Sequence, residues 1–262
     1  MSPKWLKKPI KGVLLDISGV LKDYKEAIQE SVFAFETLQK LGIPYRLVTN
    51  ETTETKAQLV KSLRNMGFNV YEKDILSPVP VMINIIRENK LKPHLLVADE
   101  ILEEFNIEND ENKDCVVISD AGPNLNYEKM NEAFRLLINM PEPKLFSLGM
   151  GKYYKGDNGL NLDVGAFTKA LEYATGVNAI PVGKPTPEFF LTAVNDMKLK
   201  PEDVVMIGDD IESDVKGAQA CGIRGVLVKT GKYRSSDGGE LIADGVVTNL
   251  NEGIQLIKNT IS

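Results

Sequence analysis

The run Gly12-Val13-Leu14-Leu15-Asp16-Ile17-Ser18-Gly19-Val20-Leu21 constrains this chain most. A short, continuous apolar stretch of this kind reads as a strand buried on both faces, as in a parallel sheet. The strand stops at a carboxylate, and Ser18-Gly19 then lets the backbone turn so that amide N–H groups face outward. An aspartate beside free amides at a strand's carboxyl end suits phosphoryl transfer, with the carboxylate attacking phosphorus. On its own the stretch favours an ordinary strand followed by an Asp/Gly turn, because Asp and Gly commonly follow strands. The rest of the sequence decides between the two.

After this strand, Ile28, Val32, Phe35, Leu38 and Leu41 recur at helical spacing and Gly42 ends the helix. Tyr45 to Val48 reads as a second strand ending in Thr49-Asn50, and Ala57, Val60, Leu63 and Met66 mark a helix closed by Gly67. Alternating strand and helix predicts an α/β, doubly wound parallel sheet, which binds ligands outside the carboxyl ends of its strands. From Pro78 to Ile180 the alternation starts afresh. A helix over Val79–Glu88, strands at Leu95–Val97, Val116–Ile118 and Leu145–Leu148, and helices through Met130–Ile138 and Val164–Ala174 are expected there. Lys152 to Gly159 has hairpin-turn chemistry. The first pattern resumes with a short strand before Gly183-Lys184-Pro185 and a helix over Glu188–Met197. A buried strand at Val204–Ile207, a helix running to Cys221, a strand at Val226–Val228 and a last helix from Asn251 to Ile261 follow. Residues 1–78 and 182–262 are therefore expected to form the core domain, with 79–181 inserted as a second α/β domain.

The second acidic stretch is Gly208-Asp209-Asp210-x-x-x-Asp214. Acids in the first turn of a helix can simply answer the helix dipole. Three carboxylates beside the Asp16 strand end exceed that need, and like charges cluster when a cation joins them. All-oxygen ligands with room for phosphate and water indicate Mg²⁺. Lys184, in a turn at a strand end, can hold phosphate as a point charge, although a surface turn lysine is a fair competitor. The Thr49 hydroxyl and Asn50 amide can each bond a phosphate oxygen. Helix capping is their alternative duty, one that Thr52 or Thr53 could serve as well.

Other features narrow the class. A net charge of −6 and a pI near 5.1 argue against nucleic-acid binding. No window of 18 apolar residues offers a membrane span, and Met1 to Lys8 lack the apolar core of a signal peptide. Cys115 and Cys221 have no metal-ligand spacing and read as reduced structural thiols. His94, the only histidine, reads as structural, which excludes sites needing two histidines.

The Asp16 loop, Thr49-Asn50, Lys184 and Gly208-Asp209-Asp210-x-x-x-Asp214, in this order, resemble the four motifs of the haloacid dehalogenase superfamily of phosphatases. The insertion looks like that superfamily's larger α/β cap. Thr49-Asn50-Glu51, Leu162-Asp163-Val164-Gly165 and Val182-Gly183-Lys184-Pro185 are most similar to a subgroup that hydrolyses P–N bonds and pyrophosphate. The resemblance implies Asp16 as nucleophile and Lys184 as catalytic partner. It implies substrate contacts from Asp16, Ile17, Ser18, Thr49, Asn50, Glu51 and Lys184, and Mg²⁺ held by Asp16, the Ser18 carbonyl, Asp209 and Asp214. It further implies a phosphorylated small molecule or a phosphohistidine or phospholysine protein as partner, a homodimer through the cap, and a cytoplasmic location with the nucleus as a second one. A small-metabolite phosphomonoesterase and a catalytically weak regulatory binding protein are the alternatives.

One departure stands out. Most phosphatases of the superfamily carry a second Asp where this chain has Ser18, and serine has no useful pKa for acid–base work near neutrality. Either catalysis is lost, or the substrate's bond breaks with less help, as P–N and anhydride bonds do.

Overall fold

The computed structural model describes residues 3–107, 112–156 and 159–261. The expected turn at Asp157-Asn158 and the first two residues of the N-terminal run lie outside these. A six-stranded, all-parallel sheet runs in the order Gly245–Val247, Arg224–Val228, Val204–Gly208, Gly12–Leu15, Tyr45–Val48, Ile75–Leu76. Side chains of its central strands alternate between two cores. Val13, Leu15, Val205 and Ile207 point to one face, against Phe35 and Leu38, Leu59 and Leu63, and Ile254 and Ile257 of three helices. Leu14, Val204 and Met206 point to the other, against Phe189, Phe190, Val194 and Ala218. Helices thus cover both faces, which is why the strands read as continuous apolar runs. The fold is the doubly wound parallel α/β architecture that the sequence predicts.

A second, four-stranded parallel sheet runs in the order Ile180–Pro181, Leu145–Ser147, Cys115–Ile118, Pro93–Leu96. It has its own cores on either face, one with Val79, Met82 and Ile86 of the Pro78–Asn89 helix, the other with Leu137 and Leu171. Tyr153–Gly156 and Gly159–Leu162 pair as an antiparallel ribbon, with Gly156 opposite Gly159.

The structure differs from the periodicity in identifiable places. The helix after Asp210 begins as a π-helical segment, Ile211–Lys216, before one α-helical turn at Gly217–Ala220. The cause is local: the Asp210 carbonyl accepts from both Asp214 N–H and Val215 N–H, and its carboxylate accepts from Glu212 and Ser213 N–H. Such segments are frequent at functional sites. The strands Ile75–Leu76 and Gly245–Val247 are too short to show a period. The helix Asp99–Phe105 buries only Ile101 and Phe105. Cys115 is buried and Cys221 partly so, both as free thiols.

Register positions the site. Leu15 lies opposite both Ile207 and Leu47, so the three central strands end level. Asp16, Thr49 and Asp209 consequently emerge at one edge. Phe35 anchors the core beneath, fully buried and edge-on to Tyr45 and Phe68. Phe35→Ala is expected to cost about 3–5 kcal/mol. Urea unfolding checks this through a lower midpoint at unchanged slope, and a loss below ~1 kcal/mol would contradict the packing account.

Candidate active site

Asp16 continues its strand by one residue, its N–H donating to the Ile207 carbonyl at 3.0 Å. The Ile17 N–H donates to Asp16 Oδ1 at 2.7 Å, and the Ile17 side chain is fully buried in the core. Only the backbone of Ile17 therefore belongs to the site, and its amide already orients the carboxylate. The Ser18 side chain is exposed to the cavity. Gly19 follows at φ +83°, where an added Cβ would sit 2.1 Å from Asp209 Oδ2, so the loop presses directly on the second acidic strand end.

Lys184 is 3% exposed and joins the strand ends. Its Nζ lies 2.8 Å from Asp16 Oδ1 and 2.7 Å from Asp214 Oδ1. Burial alone would lower its pKa, but those two carboxylates outweigh burial and hold it above the ordinary lysine value. Asn50 fixes the backbone of Lys184 in both directions, accepting from its N–H and donating to its carbonyl, each at 2.9 Å. Both amide atoms of Asn50 are thus engaged with protein, which makes it the holder of Lys184. Thr49 Oγ1 accepts from Glu51 N–H at 3.0 Å and keeps its own proton to donate. Glu51 Oε1 accepts from the N–H and hydroxyl of Thr53. The next helix is capped by Thr55, in a capping box with Gln58, so Thr49, Asn50, Thr52 and Thr53 all escape capping duty.

Asp16, Asp209 and Asp214 are all buried and each offers an oxygen within 4.8 Å of the others. Asp214 Oδ2 accepts from Asp210 N–H at 3.1 Å, and Asp209 Oδ2 from Lys232 N–H at 2.8 Å. Asp209 Oδ1 is buried with no hydrogen-bond partner. Burial raises the pKa of both Asp209 and Asp214, with the charges of Asp16 and Asp214 adding to it at Asp209 and those of Asp16 and Asp210 at Asp214. Lys232 compensates elsewhere, pairing with Asp210 at 2.8 Å. An orphaned carboxylate oxygen within a buried set of three hard ligands fits a divalent metal ion.

A cavity of about 500 Å³ opens between this edge and the second sheet. Asp16, Ser18, Thr49, Asn50, Glu51, Lys184, Asp209 and Asp214, all expected site residues, line it together. From the second sheet's side come Asp120, Tyr154 and Asp163, and from the last core loop Lys232. Sequence reasoning gave these four no role. Asp163 and Lys232 do sit in runs that stand out, Leu162-Asp163-Val164-Gly165 and Thr230-Gly231-Lys232-Tyr233. Asp120 follows a buried strand just as Asp16 does, and that was the signal available for it.

Comparison with known proteins agrees with this geometry. A haloacid dehalogenase-like hydrolase family model matches residues 13–119, and a second HAD-hydrolase-like model matches 181–253. The chain is 47% identical over 256 residues to phospholysine phosphohistidine inorganic pyrophosphate phosphatase of Danio rerio, covering 95% of each chain. Against the Homo sapiens protein of the same name it is 46% identical, covering 95% of this chain and 94% of the relative. The crystal structure of 4-nitrophenylphosphatase from Thermotoga maritima superposes with a TM-score of 0.84 at 25% identity, over 94% of this chain and 97% of that one. An aspartate-ended parallel sheet, a lysine bridging two carboxylates and near full-length identity to named phosphatases converge: the chain is a hydrolase and belongs to the haloacid dehalogenase-like hydrolase family.

Proposed function

We propose that the protein is a Mg²⁺-dependent phosphatase that cleaves P–N bonds (phosphohistidine, phospholysine, imidodiphosphate) and inorganic pyrophosphate through an aspartyl-phosphate. The observation that carries this reading is the buried Asp16–Lys184–Asp214 array at the strand ends. The names of the 44–47% identical relatives supply the substrate class.

Asp16 Oδ1 is occupied by Lys184 and the Ile17 N–H, which aims the other carboxylate oxygen at phosphorus. That oxygen bonds to phosphorus as the bond to the leaving nitrogen or oxygen breaks and its electron pair departs with the leaving group. Water then attacks the aspartyl-phosphate, releasing phosphate and the free carboxylate. Lys184 and the Thr49 hydroxyl hold the transferred group, and Asn50 keeps Lys184 in place. Asp16, the Ser18 carbonyl, Asp209 and Asp214 would hold Mg²⁺, which when bound supplies positive charge against the phosphoryl oxygens. Residues 79–181 act as a cap that excludes water and selects substrate. A cytoplasmic setting fits the two free cysteines. A homodimer through the cap is part of the same reading, supported by its exposed Leu160, Leu162, Tyr173 and Ile180, and light scattering tests it.

A phosphomonoesterase is the second reading, favoured by the fold match to a 4-nitrophenylphosphatase. Phosphate release from imidodiphosphate, pyrophosphate and a panel of alkyl phosphomonoesters separates the two. The proposal expects the first two to be turned over faster. Equal or faster cleavage of the esters transfers the assignment to the second reading.

Asp16→Asn is nearly isosteric and a far poorer nucleophile. It is expected to lower turnover by on the order of 10³-fold or more while circular dichroism stays unchanged. Residual activity within tenfold of wild type would refute the mechanism. Chelation is expected to abolish activity, with Mg²⁺ restoring it and Ca²⁺ failing to, because Ca²⁺ accepts more ligands at longer distances. Steady-state rates after chelation and repletion check this.

A further inference from the structure

Ser18 leaves the reaction without the usual proton-transferring side chain, and the structure offers another in its place. We propose that Asp120 gives the proton to the leaving group and then takes one from the attacking water. The proposal rests on the phosphatase reading above and adds a catalytic residue to it.

Asp120 lies in the loop just beyond the Cys115–Ile118 strand and lines the same cavity as Asp16 and Ser18. Its backbone N–H donates at 3.2 Å to Oγ1 of Thr52, itself 1% exposed. Thr52 stands two residues beyond Asn50, the residue that holds Lys184. Asp120 is therefore tied to the loop that edges the phosphoryl site. In an in-line displacement the leaving group, and later the water, occupy the side of phosphorus away from the nucleophile. Asp120, Gly151, Tyr154 and Asp163 line the cavity that would hold them.

Most other acids of the cavity are tied to a cation or to the metal set, while Glu51 and Asp163, like Asp120, each use one oxygen locally, Asp163 with Lys232 acting on it as well. Asp16 and Asp214 share Lys184. Asp209 belongs to the metal set, and Asp210 pairs with Lys232. Glu54 pairs with Lys22 at 3.6 Å, and Asp23 has a partner of its own. Glu51 takes both protons that Thr53 offers, and Asp163 Oδ1 caps Val164 at 2.6 Å. Asp120 accepts one bond, from Gly122 N–H at 3.2 Å to Oδ1, and has no cation within ion-pair distance among the described residues. Its Oδ2 is uncommitted.

Its surroundings suit the task. The charged and titratable groups facing it are Glu51 from the core loop, Asp163 at the start of the Val164–Thr175 helix and Tyr154 from the ribbon. Lys232 acts on Asp163 and is itself held by Asp210. Burial, then the charges of Asp163 and Glu51, push the Asp120 carboxyl up to about 6 against the opposing Gly122 N–H. A carboxyl in that range can both give and accept a proton near neutrality.

The steps balance. As Asp16 bonds to phosphorus and the P–N bond breaks, its electron pair goes to nitrogen, which takes the Asp120 proton. Asp120, now a carboxylate, then takes a proton from water as the water oxygen bonds to phosphorus. The bond between phosphorus and Asp16 breaks, its electrons return to Asp16, and phosphate leaves.

The test uses the full chain with Mg²⁺, Asp120→Asn, and two substrates. Contrary to the expectation drawn from Ser18, the bridging nitrogen of imidodiphosphate here takes its proton from the enzyme, whereas the nitrophenolate of 4-nitrophenyl phosphate leaves without one. With imidodiphosphate, kcat/KM is expected to fall about 10²–10⁴-fold. With 4-nitrophenyl phosphate the first step is expected to persist as a burst of nitrophenol, followed by slow turnover. The wild-type fall of kcat/KM as pH rises through Asp120's titration should vanish in Asp120→Asn. In Asp163→Asn it should move to lower pH, because a negative neighbour that raised the pKa is gone. Asparagine can still cap the helix, so this second variant decides the matter should Asp120→Asn fold poorly. Wild-type rates in Asp120→Asn, an equal loss on both substrates without a burst, or an unmoved limb in Asp163→Asn overturns the assignment. Asp16→Asn run alongside separates the two levels. Loss of both activities there with a normal Asp120→Asn condemns only Asp120, whereas an active Asp16→Asn condemns the phosphatase reading itself.

Discussion

The ammonium of Lys184, set between Asp16 and Asp214, is the interaction on which the site depends. Three carboxylates and a lysine are buried within a few ångströms, and each isolated buried charge costs several kcal/mol. One cation cannot neutralise three anions. The deficit appears where the structure leaves Asp209 Oδ1 without a partner and holds Asp209 and Asp214 at raised pKa. A divalent ion would remove that deficit. The protein accordingly places its fixed positive charge beside the nucleophile and leaves the rest of the compensation to a ligand. Deleting the lysine would remove the only side-chain cation that touches Asp16 or Asp214 among the described residues.

Backbone rules make this concentration of charge possible. Level strand ends bring Asp16 and Asp209 to one edge without any loop having to reach for the other. Two positive-φ glycines, Gly19 and Gly231, then let backbone lie against Asp209, since a Cβ at either would fall 2.1 Å from its Oδ2. Asn50 uses one donor and one acceptor of its side chain on the backbone of Lys184. The backbone of Lys184 is thus set by Asn50, and the Nζ at the end of its flexible stem by the two carboxylates it bridges.

This edge was legible in the sequence because its signals are local. An apolar run ending in Asp, a Thr-Asn at the next strand end and a Gly-Asp-Asp after a third each announce a strand terminus, and parallel topology puts all three together. That Asn50 also holds the backbone of Lys184 was not legible, because such a side chain looks the same in sequence as one that only contacts phosphate. The π-helical start after Asp210 arises from bifurcated hydrogen bonds that no periodicity encodes. Asp120, Tyr154 and Asp163 escaped for a different reason. They reach the cavity through the placement of the second sheet against the first, and the contact fixing Asp120 joins residues 68 apart in sequence.

That contact gives the two halves of the cavity different physical characters. The strand-end side is a closed network of buried charge and main-chain bonds, rigid by construction. The opposite side meets it at Asp120 through one hydrogen bond from a backbone N–H to the Thr52 hydroxyl, an interaction worth ~1 kcal/mol net. Burial is the largest cause of the raised pKa of Asp120, and the charges that add to it come from both sides, Asp163 from the second sheet's side and Glu51 from the core loop. Positioning of charge and handling of protons thus fall to the two sheets, which meet at Thr52 and also where Gly149 faces Asn50 and Glu104 bonds the Lys56 backbone.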